Sequence, residues 1–257
     1  MNKNILVTGG SGMVGHAVKG VMPNATYLTL ADFDLRDRSK VTEAFSYFRP
    51  DYVIHLAAKV GGIRANMEQM GDFYLDNILI NTNVLEASRI FKTKKVLSLL
   101  STCIYPDEVT YPLTEDQIHS GPPHHSNFAY AHAKRMLDVQ SRAYRKQYGC
   151  NFITAVPNNL FGEADNYDLG NSHVIPAIIR KMYEARKKKT DVTLWGDGSP
   201  LREFTYSSDL ARALQLLLDE YDEPYPINVG NTEEVSIKHV AETIAKKLNF
   251  TRDIIWQ

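Results

Sequence analysis

The chain opens with a short β-branched run, Ile5 to Thr8, which breaks into Gly9-Gly10-Ser11-Gly12-Met13-Val14-Gly15 and passes straight into an apolar helical pattern. No other stretch restricts the fold so tightly. Glycines at the first, fourth and seventh places let the chain turn sharply and bring its backbone close to a ligand. A helix that begins there points its free amides and the positive end of its dipole at the same spot. Gly9, Gly10, Ser11, Gly12, Met13, Val14 and Gly15 are therefore candidates to hold a dinucleotide pyrophosphate; without a ligand the segment is a plain βα turn. Asp32 stands about 20 residues further on, where an acid either binds a ribose 2′-hydroxyl or serves a turn. Asp34-Leu35-Arg36-Asp37 follows at once. Asp34 and Leu35 join the cofactor candidates, and Arg36 or Arg38 could reach a 2′-phosphate.

The rest of the chain repeats the same alternation. Strands are expected at Ile5–Thr8, Thr26–Leu30, Tyr52–Ala58, Val96–Leu100 and Phe152–Val156, with helices near 13–21, 41–48, 72–91 and 127–148 between them. This spells an α/β chain with a Rossmann-like, doubly wound, mostly parallel sheet. A nucleotide-binding domain is expected over 1–157. Residues 158–257 are expected to form mainly a smaller substrate-binding lobe, with segments near 203–230 returning to the core. A chain of 257 residues, 44% of them hydrophobic, is long enough for a well-buried core. A formal net charge of −1 gives no nucleic-acid footprint. The basic run Arg186-Lys187-Lys188-Lys189 reads as a solvated helix end. Two cysteines, Cys103 and Cys150, suit a reducing compartment and hence the cytoplasm. No apolar run approaches the roughly 18 residues of a membrane span, and no metal site is expected.

Chemistry enters with Tyr130-Ala-His-Ala-Lys134. Tyrosine is a poor proton donor at neutral pH, with an ordinary pKa of about 10. A lysine one helical turn away on the same face is expected to lower it. Ser101 lies about 30 residues earlier, just past the end of a parallel strand, where open α/β sheets bind ligands. A hydride source, a phenol and an oxygen-orienting hydroxyl together suit carbonyl reduction. Cys103, two residues beyond Ser101 on an extended segment, should face the same cleft. It is either an inert small hydrophobe or, with cationic neighbours, a base for a carbon acid beside a ketone. His173, in Asn171-Ser-His-Val-Ile-Pro176, opens a helix and could be structural or functional.

With those residues placed, the chain resembles the extended short-chain dehydrogenase/reductases and, more narrowly, the GDP-L-fucose synthase family. The matching strings include Ile5 to Gly15, His55-Leu-Ala-Ala-Lys-Val-Gly-Gly62, Ser101-Thr-Cys-Ile-Tyr-Pro106, Tyr130 to Lys134, Asn171 to Pro176 and Trp195-Gly-Asp-Gly-Ser-Pro-Leu-Arg-Glu-Phe204. The resemblance implies one site with two tasks. Cys103 as base and His173 as acid would invert C3 and C5 of GDP-4-keto-6-deoxy-D-mannose. Ser101, Tyr130 and Lys134 would serve C4 reduction by NADPH. It also implies cofactor contacts at Leu56, Ala57, Ala58, Leu99, Leu100, Ser101, Thr102, Tyr130, Lys134, His173 and the segment Pro157, Asn158, Asn159, Leu160. Substrate contacts are implied at Asn159, Lys181, Trp195 and Arg202, and a homodimer through helices 72–91 and 127–148. Lys181 replaces the arginine of some members, and Ser11 an arginine near the 2′-phosphate. Family chains run on past Gln257 into a tail that helps bind the nucleotide, so a shortened substrate lobe is expected. Two other readings stand beside this one. One is a UDP- or dTDP-sugar epimerase or reductase. The other is a cofactor-binding protein without turnover.

Overall fold

A computed structural model describes residues 3–257. Along the chain, β1 (Ile5–Thr8) leads into α1 (Met13–Val21), β2 (Thr26–Leu28) into α2 (Arg38–Phe48), and β3 (Tyr52–His55) into the short α3 (Ile63–Glu68) and the long α4 (Met70–Ile90). β4 (Lys95–Leu99) is followed by 3-10 turns at Thr102–Ile104, Glu115–His119 and His125–Asn127 and then by α5 (Phe128–Tyr148). β5 (Phe152–Pro157) continues into β6 (Asn159–Phe161), α6 (Val174–Lys188) and β7 (Val192–Leu194). The chain ends with β8 (Leu201–Tyr206), α7 (Ser207–Glu220), β9 (Ile227–Val229), β10 (Glu234–Ser236), α8 (Ile237–Lys247) and β11 (Ile254–Trp256).

The main sheet has six strands in the order β2-β1-β3-β4-β5-β9, all parallel. Strands buried on both faces should read as continuous apolar runs, and every residue of β4 and β5 is buried. Alternate side chains then feed two separate cores. Leu6, Val53, Val96 and Phe152 point into one, with Val41 and Phe45 of α2, Leu85 of α4 and Leu137 of α5. Val7, Ile54, Leu97 and Ile153 point into the other, with Val18 of α1 and Leu210, Leu214 and Leu217 of α7. The chain thus winds helices onto both faces of a Rossmann-like sheet.

Strand order reverses where β1 lies between β2 and β3. Such a switch point opens a crevice at the carboxyl ends of the strands. Gly9 follows β1, Leu56 follows β3, Leu100 follows β4 and Asn158 follows β5. The candidate residues converge on that one edge because each is the first to leave its strand.

A smaller set of elements lies beyond β5. β10, β8 and β6 make a three-stranded sheet, and β11 pairs with β7. Ile178 and Met182 of α6 pack with Val192, Leu194, Ala241 of α8 and Phe250 in a core of their own. Ser236 caps α8 by accepting the His239 amide hydrogen. Two differences from the sequence reading have local causes. The β2 strand stops at Leu28, not Leu30, because the Asp32 carboxylate captures the amide and hydroxyl of Thr29 in a turn. The second is an added strand: 159–161, for which no strand is expected from the sequence, pairs with β8 through Asn159 and Phe204.

Candidate active site

The glycine turn is built around two steric demands. Gly9 has φ +75 and lies against the backbone of Ala57. A Cβ on Gly15 would stand 2.4 Å from the Gly9 carbonyl oxygen, so the helix can close on the turn only without a side chain there. The first amides of a helix have no internal acceptor, and at α1 no side chain caps them. An uncapped helix start beside a backbone stripped of Cβ atoms fits a dinucleotide pyrophosphate.

On the far side of the turn, Arg36 grips Asp34 with two guanidinium nitrogens, Nε to Oδ1 at 2.9 Å and Nη2 to Oδ2 at 2.7 Å. That fork occupies Asp34 and Arg36 with each other. Asp32 is tied to Thr29, so its carboxylate serves the turn. Arg38, exposed in the first turn of α2, has no ion-pair partner among the described residues.

A buried relay links this turn to the helices behind it. The Ala57 amide donates to Thr8 Oγ1 at 3.2 Å, and Thr8 Oγ1 lies 2.8 Å from His55 Nδ1. His55 Nε2 lies 3.1 Å from Asn81 Oδ1, and Asn81 Nδ2 donates to the Ala133 carbonyl of α5. These partners put the imidazole hydrogen on Nε2. Burial, helped by the charge of Lys134, lowers the His55 pKa to about 3. The sequence reading treated His55 only as the start of a family string. Its signal was a histidine closing an otherwise apolar strand.

The candidate reacting groups sit just past β4 and on α5. Ser101 is extended, but Thr102 to Ile104 form a 3-10 turn, not the straight segment expected. The turn still brings Ser101 Oγ to 2.9 Å from Cys103 Sγ. Cys103 packs with Ala65, Phe73 and Tyr130 in one cluster. Phe73 meets the Tyr130 ring edge-on, with centroids 6.3 Å apart. Lys134 is 3% exposed, donates from Nζ to the Leu99 carbonyl at 2.8 Å and lies 6.0 Å from the Tyr130 ring centre.

Burial governs the acid–base behaviour here. The Tyr130 phenol is pushed well above its ordinary value, chiefly by burial and then by the nearby thiol, with Ser101 opposing. The expected lowering by Lys134 does not occur: burial dominates, and the one group opposing it is Ser101. Burial instead lowers Lys134 to about 8, with Cys103 opposing. Cys103 is raised by burial, against the Ser101 hydroxyl and the Lys134 charge.

His173 stands apart. It is exposed at the start of α6, and its side chain caps nothing. The loop before it docks on the site all the same, since the Gly62 amide donates to the Asn171 carbonyl at 3.2 Å. A Cβ on Gly61 would touch Phe73 and Ala65, so this glycine pair borders the thiol–phenol cluster. Asn158 Nδ2 donates to the Asn231 carbonyl at 2.8 Å, and Asn159 Nδ2 to the Glu203 carbonyl at 3.0 Å. Pro157 is buried and Leu160 half-buried beside them. Further out, Lys181 Nζ lies 5.2 Å from the ring centre of Trp195, which is 74% exposed. Both line a groove of about 370 Å³ between α6 and β7. Arg202 is exposed on β8. These outer residues do not touch the thiol–phenol cluster.

Asp107, His124 and His125 also gather at the surface. The Ser126 amide donates to His124 Nδ1, which leaves the ring hydrogen on the nitrogen facing Asp107.

Comparison with known proteins bears on this cleft. The NAD dependent epimerase/dehydratase family matches residues 5–230. The chain is 43% identical to GDP-L-fucose synthase of Dictyostelium discoideum, over 99% of this chain and 82% of that protein. A GDP-L-fucose synthetase from Naegleria fowleri, in a crystal structure bound to NADP, is 42% identical, with a TM-score of 0.94 over 100% of this chain and 80% of that one. A GDP-6-OMe-4-keto-L-xylo-heptose reductase from C. jejuni is 27% identical, with a TM-score of 0.91 over 100% of this chain and 86% of that one.

Proposed function

Because the chain belongs to the NAD dependent epimerase/dehydratase family and, within it, to the GDP-L-fucose synthases, we infer that one cleft converts GDP-4-keto-6-deoxy-D-mannose to GDP-L-fucose. The enzyme is an NADP-dependent oxidoreductase and epimerase. The observation that carries the reading is the thiol of Cys103 lying 2.9 Å from the Ser101 hydroxyl and packed in one cluster with the Tyr130 ring. Base and proton donor then meet the same sugar ring.

In this reading Cys103 removes the proton from C3 and then from C5. Each carbon is acidic because the 4-ketone takes up the charge as an enolate. His173, on the loop docked at Gly62, returns a proton to the opposite face. Ser101 hydrogen-bonds O4, and Tyr130 gives that oxygen its phenolic proton. Lys134 sets the field around both groups from beneath. NADPH, when bound along Gly9 to Gly15, supplies the hydride for C4. Asn158 and Asn159 border the nicotinamide end, and Lys181, Trp195 and Arg202 take the nucleoside diphosphate, with Arg202 suited to the phosphates.

The active form is a homodimer. α4 and α5 leave Leu75, Leu79, Phe128, Met136 and Val139 exposed. A groove of about 430 Å³ between Tyr74, Phe128, His132 and Met136 runs along the same side. An apolar helix pair of this kind is covered by its own copy in a four-helix packing.

Two variants separate the tasks. Cys103→Ser should stop solvent deuterium from entering C3 and C5 while NADPH still binds. Tyr130→Phe should suppress NADPH oxidation far more than exchange. Persistent exchange in Cys103→Ser, or equal loss of both reactions in Tyr130→Phe, would overturn the assignment.

A further inference from the structure

Lys134 and Arg135 are neighbours on α5, and both are buried, at 3% and 5% exposure. They hold opposite ends of the segment that carries the thiol. Lys134 Nζ donates to the Leu99 carbonyl at 2.8 Å, and Arg135 Nε donates to the Ile104 carbonyl at 2.6 Å. Ser101 and Cys103 hang between those two points. Arg135 reaches further: Nη1 donates to the Gly121 carbonyl at 2.7 Å. It thereby closes the neck of the excursion that leaves the site at Tyr105 and returns at the Pro106–Pro123 bridge.

Among the described residues, no carboxylate pairs with the guanidinium to offset its burial. Its Nη2 has no hydrogen-bond partner among the described residues. The buried carboxylate one turn along the helix, Asp138, binds His119 at 2.9 Å and Arg142 at 2.8 Å through Oδ2, and its Oδ1 makes no hydrogen bond to Arg135. Burial pulls the pKa of Arg135 down. An apolar side chain of similar length would fill the space without that desolvation cost. What it could not do is bind the Ile104 carbonyl. That oxygen ends a 3-10 turn, where no donor within the turn is available and a cation matches the local dipole.

We propose that Arg135 is a positioning residue for Cys103, fixing the Ser101–Ile104 turn so that the thiol faces the ring carbons. It holds backbone carbonyls at Ile104 and Gly121 and makes no contact with the phenol, whereas Lys134 also lies beside the Tyr130 ring, so proton abstraction by the thiol is the step that reads its placement most directly. The proposal rests on the reading of Cys103 as the base.

The test compares wild type, Arg135→Met and Arg135→Lys, each also carrying Cys150→Ser so that one thiol remains. Three quantities are measured: deuterium exchange at C3 and C5 without NADPH, the pH profile of Cys103 alkylation by iodoacetamide, and NADPH affinity. Arg135→Met should slow exchange by about 100-fold at unchanged KM, the scale of a misplacement near 1 Å. It should also shift the alkylation profile and leave NADPH affinity as it was. Arg135→Lys, which reaches one carbonyl, should recover part of the rate. Exchange and alkylation at wild-type values in Arg135→Met would overturn the proposal. If Arg135→Met does not fold, a wild-type alkylation profile and exchange rate in Arg135→Lys would overturn it equally. A shifted alkylation profile in an enzyme whose wild type shows no exchange would refute Cys103 as the base and leave the positioning intact.

Discussion

Burial sets the proton inventory of the cleft. Tyr130 and Cys103 are both raised by it, and Lys134 is lowered to about 8. In the proposed mechanism a phenol held protonated is a store for O4, and a thiol held protonated needs the substrate and cofactor around it to part with its hydrogen. His55 follows the same rule with a testable sign. Its folded pKa of about 3 lies below the ordinary 6.5. Between those values the unfolded chain binds a proton that the folded chain refuses. The stability His55 contributes is whole above the ordinary value and drains as pH falls towards the folded one. His55→Asn should therefore flatten the acid limb of unfolding, by on the order of 1.4 kcal/mol per pH unit. Chemical denaturation at several pH values checks it, and an unchanged slope contradicts it. Spacing made the shared helix face of Tyr130 and Lys134 legible. The direction of the Tyr130 shift was not, because Phe73 and Ala65, which help dry the ring, lie far away in sequence.

Among the elements, α4 and α5 do double work. Inward, α4 offers Asn81 to the His55 relay and α5 offers Tyr130, Lys134 and Arg135 to the site. Outward, Phe128, His132 and Met136 recur every fourth residue on α5, and Leu75 and Leu79 do so on α4. If the proposed homodimer forms through these faces, Leu75→Arg with Met136→Glu should leave the fold intact and give a monomer in sedimentation velocity. A dimer that survives both charges would refute the four-helix interface. α5 could be read from its period, because one stripe of it meets a core, whereas α4 buries Asn77, Asn81 and Ser88 and leaves Leu75 and Leu79 outside, so length more than period marks it as a helix. The six-residue α3 and the three-residue β6 and β10 could not be read either way. Such short pieces carry too little pattern of their own, and β6 and β10 exist because β8 offers them a ladder.

At the scale of the whole molecule, two cores pack on the two faces of the Rossmann sheet and a third sits under α6 and α8, with the cleft residues gathered at the carboxyl edge. No described helix is long and apolar enough to cross a membrane. The doubly wound sheet was legible from the alternation of strand and helix, since β1 to β4 are each followed by a helix before the next strand of the sheet. The outer site was less so: Trp195, Lys181 and Arg202 lie on separate elements whose placement depends on the packing of α6, β7 and β8. The central claim is that epimerisation and reduction share this cleft. The most direct measurement runs the reaction in deuterium oxide with NADPH and GDP-4-keto-6-deoxy-D-mannose and locates the isotope in the product. The account predicts deuterium on C3 and C5, ordinary hydrogen from NADPH on C4, and one NADPH oxidised per product. A product reduced at C4 with no deuterium at C3 or C5 would make this chain a reductase alone and contradict the account.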